Sequence, residues 1–135
     1  ELVLDMIDTG AEIHCLRDPT RGGVATALNE IARQSGVGMV LDESAILVRE
    51  AVSGVCELLG LDPLYVANEG KLLAIVAPGH ADRMLARMRD RVEGRQARIV
   101  GQVVADPAGL VLLKTRIGGH RVVDMLHGDQ LPRIC

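Results

Sequence analysis

A chain of 135 residues with no Trp, no Phe and a single Tyr has to build its interior from aliphatic side chains. The hydrophobic share is nonetheless 48%, enough for a sizeable core in one domain. Val, Leu, Ile, Ala and five Met have shapes that fill helix-on-sheet layers well. The same shortage of aromatic faces removes the platforms on which proteins stack bases. A net charge of −3 lacks the basic field that a phosphate backbone demands. Together these features exclude nucleic acid as the main partner.

Hydrophobic spacing then divides the chain into elements. Glu1 to Ile7 reads as the middle of a helix that Thr9-Gly10 ends, and the first residue is not Met, so the chain is expected to begin inside a longer protein. Glu12 to Arg17 predicts a short strand. Val24, Ala27, Leu28 and Ile31 follow helical spacing from Gly23 until Gly36 stops it. Val37 to Leu41 predicts a buried strand. A helix over 49–59 is expected to bury Val52, Val55, Cys56 and Leu59, with Gly60 as its stop.

Residues 63–67 and 72–77 predict a hairpin around Asn68-Glu69-Gly70-Lys71. A helix over 80–92 is expected to bury Ala81, Met84, Leu85, Met88 and Val92 and to leave Arg83, Arg87, Arg89 and Arg91 mostly in water. Residues 99–105 and 110–115 predict a second hairpin around Asp106-Pro107-Ala108-Gly109, and a short strand follows near 121–123. Helices and strands interleave without strict βαβ repetition. The expected fold is therefore α+β, with helices layered on a mixed or antiparallel sheet.

Cys15, Cys56 and Cys135 form no CxxC pair and leave one cysteine over in any disulfide scheme, which suits a reducing, cytoplasmic compartment. The apolar run from Lys71 to Pro78 is too short for a bilayer, so no membrane association is expected. His14 and Cys15 point to opposite faces of a strand, and His120 and His127 stand apart from them, so no metal site is expected.

Three segments remain that could carry chemistry. Arg17-Asp18-Pro19-Thr20-Arg21-Gly22-Gly23 opens a helix. Glycines let backbone amides approach oxygen, a helix start offers unpaired N–H groups, and Arg21 can fork onto phosphate. The same residues also suit a simpler task, with Asp18 or Thr20 capping the helix. Glu69, between Asn68 and Gly70, is either an ordinary solvated turn residue or a carboxylate aimed into a cleft. The tail Leu131-Pro132-Arg133-Ile134-Cys135 places a thiol at a chain end, where it is badly sited for a core and well sited to be carried into an active site.

The sequence from Arg17 through Gly23 to Ala32, the segment Leu61 to Lys71, and the terminal Pro132-Arg133-Ile134-Cys135 together resemble the C-terminal half of the HypE family of hydrogenase maturation proteins. That family lies within the superfamily of aminoimidazole ribonucleotide synthetases and selenophosphate synthetases, and the terminal cysteine selects it within the superfamily. The resemblance implies a fold like the C-terminal domain of aminoimidazole ribonucleotide synthetase over 1–127, followed by a mobile tail, 128–135, that ends in the acceptor cysteine.

It further implies that a carbamoyltransferase, HypF, loads the sulfur of Cys135, that ATP drives dehydration of the carbamoyl group to thiocyanate, and that cyanide passes to a HypC–HypD scaffold for the iron of nickel-iron hydrogenase. Glu69 is the expected base. Asp18, Thr20, Arg21, Gly22 and Gly23 form the expected ATP-binding loop, with Asp18, Thr20 and Arg21 facing the ATP phosphates or ordering the tail near them. The family's N-terminal half, with most ATP and Mg contacts and the homodimer interface, is absent. The chain alone is therefore expected to bind no cofactor and to be inactive. Two other readings compete: an adaptor whose Cys135 is incidental, and a synthetase acting on a free small molecule.

Overall fold

The computed structural model describes residues 1–125, and the segment 128–135 with Cys135 lies outside the described residues. The described chain forms two units, each built from two separate stretches.

The first unit joins 1–17 to 72–100. It holds helix α1 (Leu2–Asp8), strand β1 (Ile13–Arg17), strand β3 (Leu73–Val76), a 3-10 turn (Pro78–His80) and helix α4 (Ala81–Arg89). β1 and β3 pair antiparallel, from Ile13 opposite Val76 to Arg17 opposite Leu73, with an irregularity after Ile13. Beside the ladder, the Glu12 amide donates to Nδ1 of His80 at 2.9 Å, and the Ala77 amide donates to the Glu12 carbonyl at 2.9 Å.

Met6 and Met84 are buried between the helices. Arg87 and Arg91 do not simply face water as the spacing predicts: both donate to the buried carboxylate of Asp5, at 3.0 and 2.9 Å. The hydrogen bond from Arg91, followed by the charges of both guanidiniums, outweighs desolvation and holds the Asp5 carboxyl below its usual value. Val92 departs from the expected buried stripe because α4 ends at Arg89, which leaves it 70% exposed.

The second unit joins 18–71 to the chain from Gly101 onward. It holds helix α2 (Gly23–Ser35), strand β2 (Gly38–Asp42), a 3-10 turn (Glu43–Ala45), helix α3 (Glu50–Leu59) and a second 3-10 turn (Pro63–Tyr65). Strands β4 (Gly101–Val104), β5 (Val111–Lys114) and β6 (His120–Val122) complete it. The sheet order is β4-β2-β5-β6, with β2 antiparallel to β4, parallel to β5, and β5 antiparallel to β6. The fold is thus α+β with a mixed sheet, as the interleaved pattern predicts.

Met39 and Leu41 pair with Val111 and Leu113 in register, and all four are buried. Each such side chain contributes roughly 1.5–3 kcal/mol of transfer free energy. Ala25, Leu28 and Ala32 recur at helical spacing on α2 and are also buried, on a helix that packs on β2 and β5.

Three local expectations fail in this unit. Residues 63–67 are not a strand: the Asp62 carboxylate accepts from the Leu64 amide at 2.9 Å and Pro63 fixes the first turn position, so the chain coils into a 3-10 turn. The partner found for β3 is β1, so no hairpin forms there. The second predicted hairpin is split, because β2 inserts between β4 and β5. Gly38 permits this crossing, since a Cβ there would sit 2.5 Å from the Pro107 carbonyl oxygen where the 106–109 loop passes over the start of β2. On α3, Cys56 is buried as expected, but Val52, Val55 and Leu59 are exposed.

Candidate active site

Helix α2 begins without a side-chain cap. Its N-cap residue is Gly22, and no side chain accepts from the first turn, so neither Asp18 nor Thr20 caps the helix. The Gly23 amide instead turns back to the Thr20 carbonyl at 3.3 Å, and the Thr26 amide donates to the Gly22 carbonyl at 3.2 Å. An uncapped start of a 13-residue helix presents backbone N–H groups and the positive end of its dipole. That arrangement suits an anion.

Two consecutive left-handed residues, Gly22 at φ 69° and Gly23 at φ 62°, shape this start. A Cβ on Gly22 would run into the Thr26 side chain. A Cβ on Gly23 would lie 2.5 and 2.6 Å from the carbonyl oxygens of Leu64 and Val66. Gly23 therefore lets the helix start seat directly on the backbone of 64–66. Pro19, fully buried, anchors the loop from the other side, and its carbonyl accepts from the Asn68 amide at 3.2 Å.

That bond and the Gly23 contact bring together the two segments singled out in the sequence. Asp18, Arg21 and Glu69 are exposed, and Thr20 is half-buried. Among the described residues, Asp18, Arg21 and Glu69 have no ion pair or side-chain hydrogen bond, which leaves these groups available to a ligand. Cys135 lies outside the described residues. Among the described residues no group of three His, Cys, Asp or Glu is placed to share a metal ion, and no helix is long and apolar enough to cross a membrane.

Three residues without an expected role stand at this site. Asn29 on α2 is 2% exposed, and its amide donates to the carbonyls of Ala25 at 2.9 Å and Val123 at 2.7 Å. The Tyr65 hydroxyl donates to the Asp124 carbonyl at 3.0 Å. Burial first, then the Asp62 carboxylate, pushes that hydroxyl above its ordinary pKa, so it remains a donor at neutral pH. Asp62 takes the Arg121 guanidinium at 2.5 Å. Asn29 and Tyr65 lie inside the motifs that carried the family resemblance, but only their spatial partners disclose what they do.

Comparison with known proteins places the whole chain among relatives of one family. The family described as AIR synthase related protein, C-terminal domain, matches residues 1–114. The chain is 59% identical over 135 residues to carbamoyl dehydratase HypE of Cupriavidus necator, covering 100% of this chain and 38% of that protein. It is 60% identical over 134 residues to carbamoyl dehydratase HypE of Azotobacter vinelandii, covering 99% and 39%. The chain thus spans about two fifths of the length of these curated relatives.

Among solved structures, it superposes on hydrogenase maturation protein HypE in complex with ATP with a TM-score of 0.91 and 47% identity, covering 99% of this chain and 41% of that one. A chain of a HypE–HypF complex gives a TM-score of 0.87 and 40% identity, covering 93% and 40%.

Proposed function

We infer that this chain, which belongs to the AIR synthase related family as a C-terminal domain, is the part of an ATP-dependent carbamoyl dehydratase that carries the reacting thiol. The observation that carries this reading is the identity of 59–60% to carbamoyl dehydratases over essentially the whole chain. The junction of the 18–23 loop with the 68–70 turn supports it.

In this reading Cys135 in the tail 128–135 is the acceptor. A HypF-type carbamoyltransferase forms the S–C bond of an S-carbamoyl cysteine. The carboxamide oxygen then attacks the γ-phosphorus of ATP and ADP leaves. Phosphate next departs with that oxygen while nitrogen gives up its two protons, so S-carbamoyl cysteine and ATP become S-cyano cysteine, ADP and phosphate. Phosphorylation is needed because an amide oxygen leaves poorly and phosphate leaves well. Cyanide finally passes to the iron of nickel-iron hydrogenase on a HypC–HypD scaffold in the cytoplasm: the S–C bond breaks, Cys135 leaves as its thiolate, and the two electrons this requires come from a reductant on the scaffold's side.

The residues of this chain would divide the work. The uncapped α2 start with Gly22 and Gly23, together with Thr20 and Arg21, would receive phosphate oxygens. Glu69 would take the nitrogen-bound protons, and Asp18 would order the phosphate end or the tail near it. The described residues offer no ready cage for magnesium. The rest of the longer protein would supply the remaining ATP contacts, magnesium and a homodimer interface.

Replacing Cys135 with Ala in the full-length protein separates carrier from adaptor. A carrier loses all cyanide-forming output while keeping ATP binding and its partners. Retention of output by C135A would establish the adaptor reading instead.

A further inference from the structure

One buried hydroxyl at the start of α2 has no partner. Among the described residues two buried side-chain oxygens lack a hydrogen bond, Asp5 Oδ2 and Thr26 Oγ1. Asp5 Oδ2 still lies against the Arg91 guanidinium, whereas Thr26 Oγ1 has no such relief. Thr26 as a whole is half-buried, but this oxygen is closed off from water. It has given up its bonds to solvent and gained nothing in return, which destabilises the ligand-free protein.

A threonine inside a helix ordinarily turns its hydroxyl back to the carbonyl three or four residues earlier. The carbonyl four residues earlier is that of Gly22, and it takes the Thr26 amide at 3.2 Å but not the hydroxyl. Oγ1 instead occupies the side of Gly22 where a side chain would stand, so that a Cβ there would overlap it. Gly22 is the N-cap of α2 and supplies no capping oxygen. The unpaired hydroxyl thus lies beneath the same residue that leaves the helix start open to an anion.

We propose that Thr26 is a further phosphate-binding residue: its hydroxyl, unpartnered beneath Gly22, donates to a phosphate oxygen of ATP when the anion seats on the start of α2. Gly22 has no side chain to hold it in place, and a small shift of its backbone uncovers the hydroxyl. The bound form then recovers a hydrogen bond that the free form lacks, and that difference between the two states appears as affinity. The inference rests on the reading of this loop as the ATP phosphate site given above.

The test is made in the full-length protein with two substitutions. Thr26→Val keeps the shape and a similar helix propensity but removes the hydroxyl, and Thr26→Ser keeps the hydroxyl. The dissociation constant for ATP and the urea midpoint without ATP are measured for each. T26V should bind ATP about two- to tenfold more weakly, the worth of one hydrogen bond, while its ligand-free midpoint rises above that of wild type. T26S should stay within twofold of wild type in ATP affinity. A merely structural role cannot give weaker binding together with higher stability. Unchanged ATP affinity in T26V overturns the proposal, as does a T26S loss equal to that of T26V. A T26V midpoint no higher than that of wild type also overturns it, because the hydroxyl was then not unpaired. If the wild type itself does not bind ATP, the underlying reading has failed before any substitution is made.

Discussion

Replacing Gly23 with Ala tests the close seating that brings the two halves of the site together. The added methyl would lie 2.5 and 2.6 Å from the carbonyl oxygens of Leu64 and Val66, which are backbone atoms and cannot rotate away. Gly36, at the far end of the same helix, provides the control: its φ of 63° is nearly equal to the 62° of Gly23, but a Cβ there meets nothing within 4 Å.

G36A therefore isolates the cost of a left-handed alanine, about 1–2 kcal/mol. G23A adds an overpacking cost of about 1–3 kcal/mol. The expected gap between the two variants is that second figure alone. Urea titration followed by circular dichroism reads it as a difference in midpoint at unchanged slope. In the full-length protein, G23A should also weaken ATP binding while G36A should not. If G23A is no less stable than G36A, the helix start does not rest on residues 64–66, and the site is assembled differently.

E69Q should lower ATP-driven water loss from carbamoylated Cys135 by about 10²–10⁴-fold, the usual worth of a general base, while transferase loading of the sulfur continues; intact mass against time reads both. Asp5 has a pKa below its ordinary 3.8, so its contribution to stability is fully present above 3.8 and is lost as pH falls through the lowered folded value. D5N should therefore be less stable at neutral pH and lose less on acidification, which urea midpoints across that range would show. Asn29→Ala leaves the buried Val123 carbonyl without its donor and should cost about 1–3 kcal/mol, measured in the same titration. Cys56, 4% exposed, should react with a thiol reagent only on unfolding, while half-buried Cys15 should react sooner.

What the sequence disclosed follows from how local each signal is. Helix α2 was legible from Gly23 to Gly36 because periodicity and terminal glycine agree within one short window. The 18–23 loop and Glu69 were legible as motifs, but their contact was not: the Asn68–Pro19 hydrogen bond joins residues far apart in the chain. In both failed hairpins an earlier strand stands where the expected partner would be. Neighbouring strands were expected to pair, but β1 and β2, much earlier in the chain, took the places beside β3 and between β4 and β5. Pro63 can open a strand, but with Asp62 before it the pair is also a turn signal, and the turn forms. Arg87 and Arg91 look like ordinary solvated charges in the sequence because their partner, Asp5, lies 82 and 86 residues earlier.

The most direct measurement follows the mass of the intact full-length protein after incubation with the carbamoyltransferase, carbamoyl phosphate and ATP. The account predicts one carbamoyl group on Cys135, then loss of one water from that same residue only while ATP is being consumed. A carbamoyl group found elsewhere, or water lost equally well from the C135A protein, would contradict it.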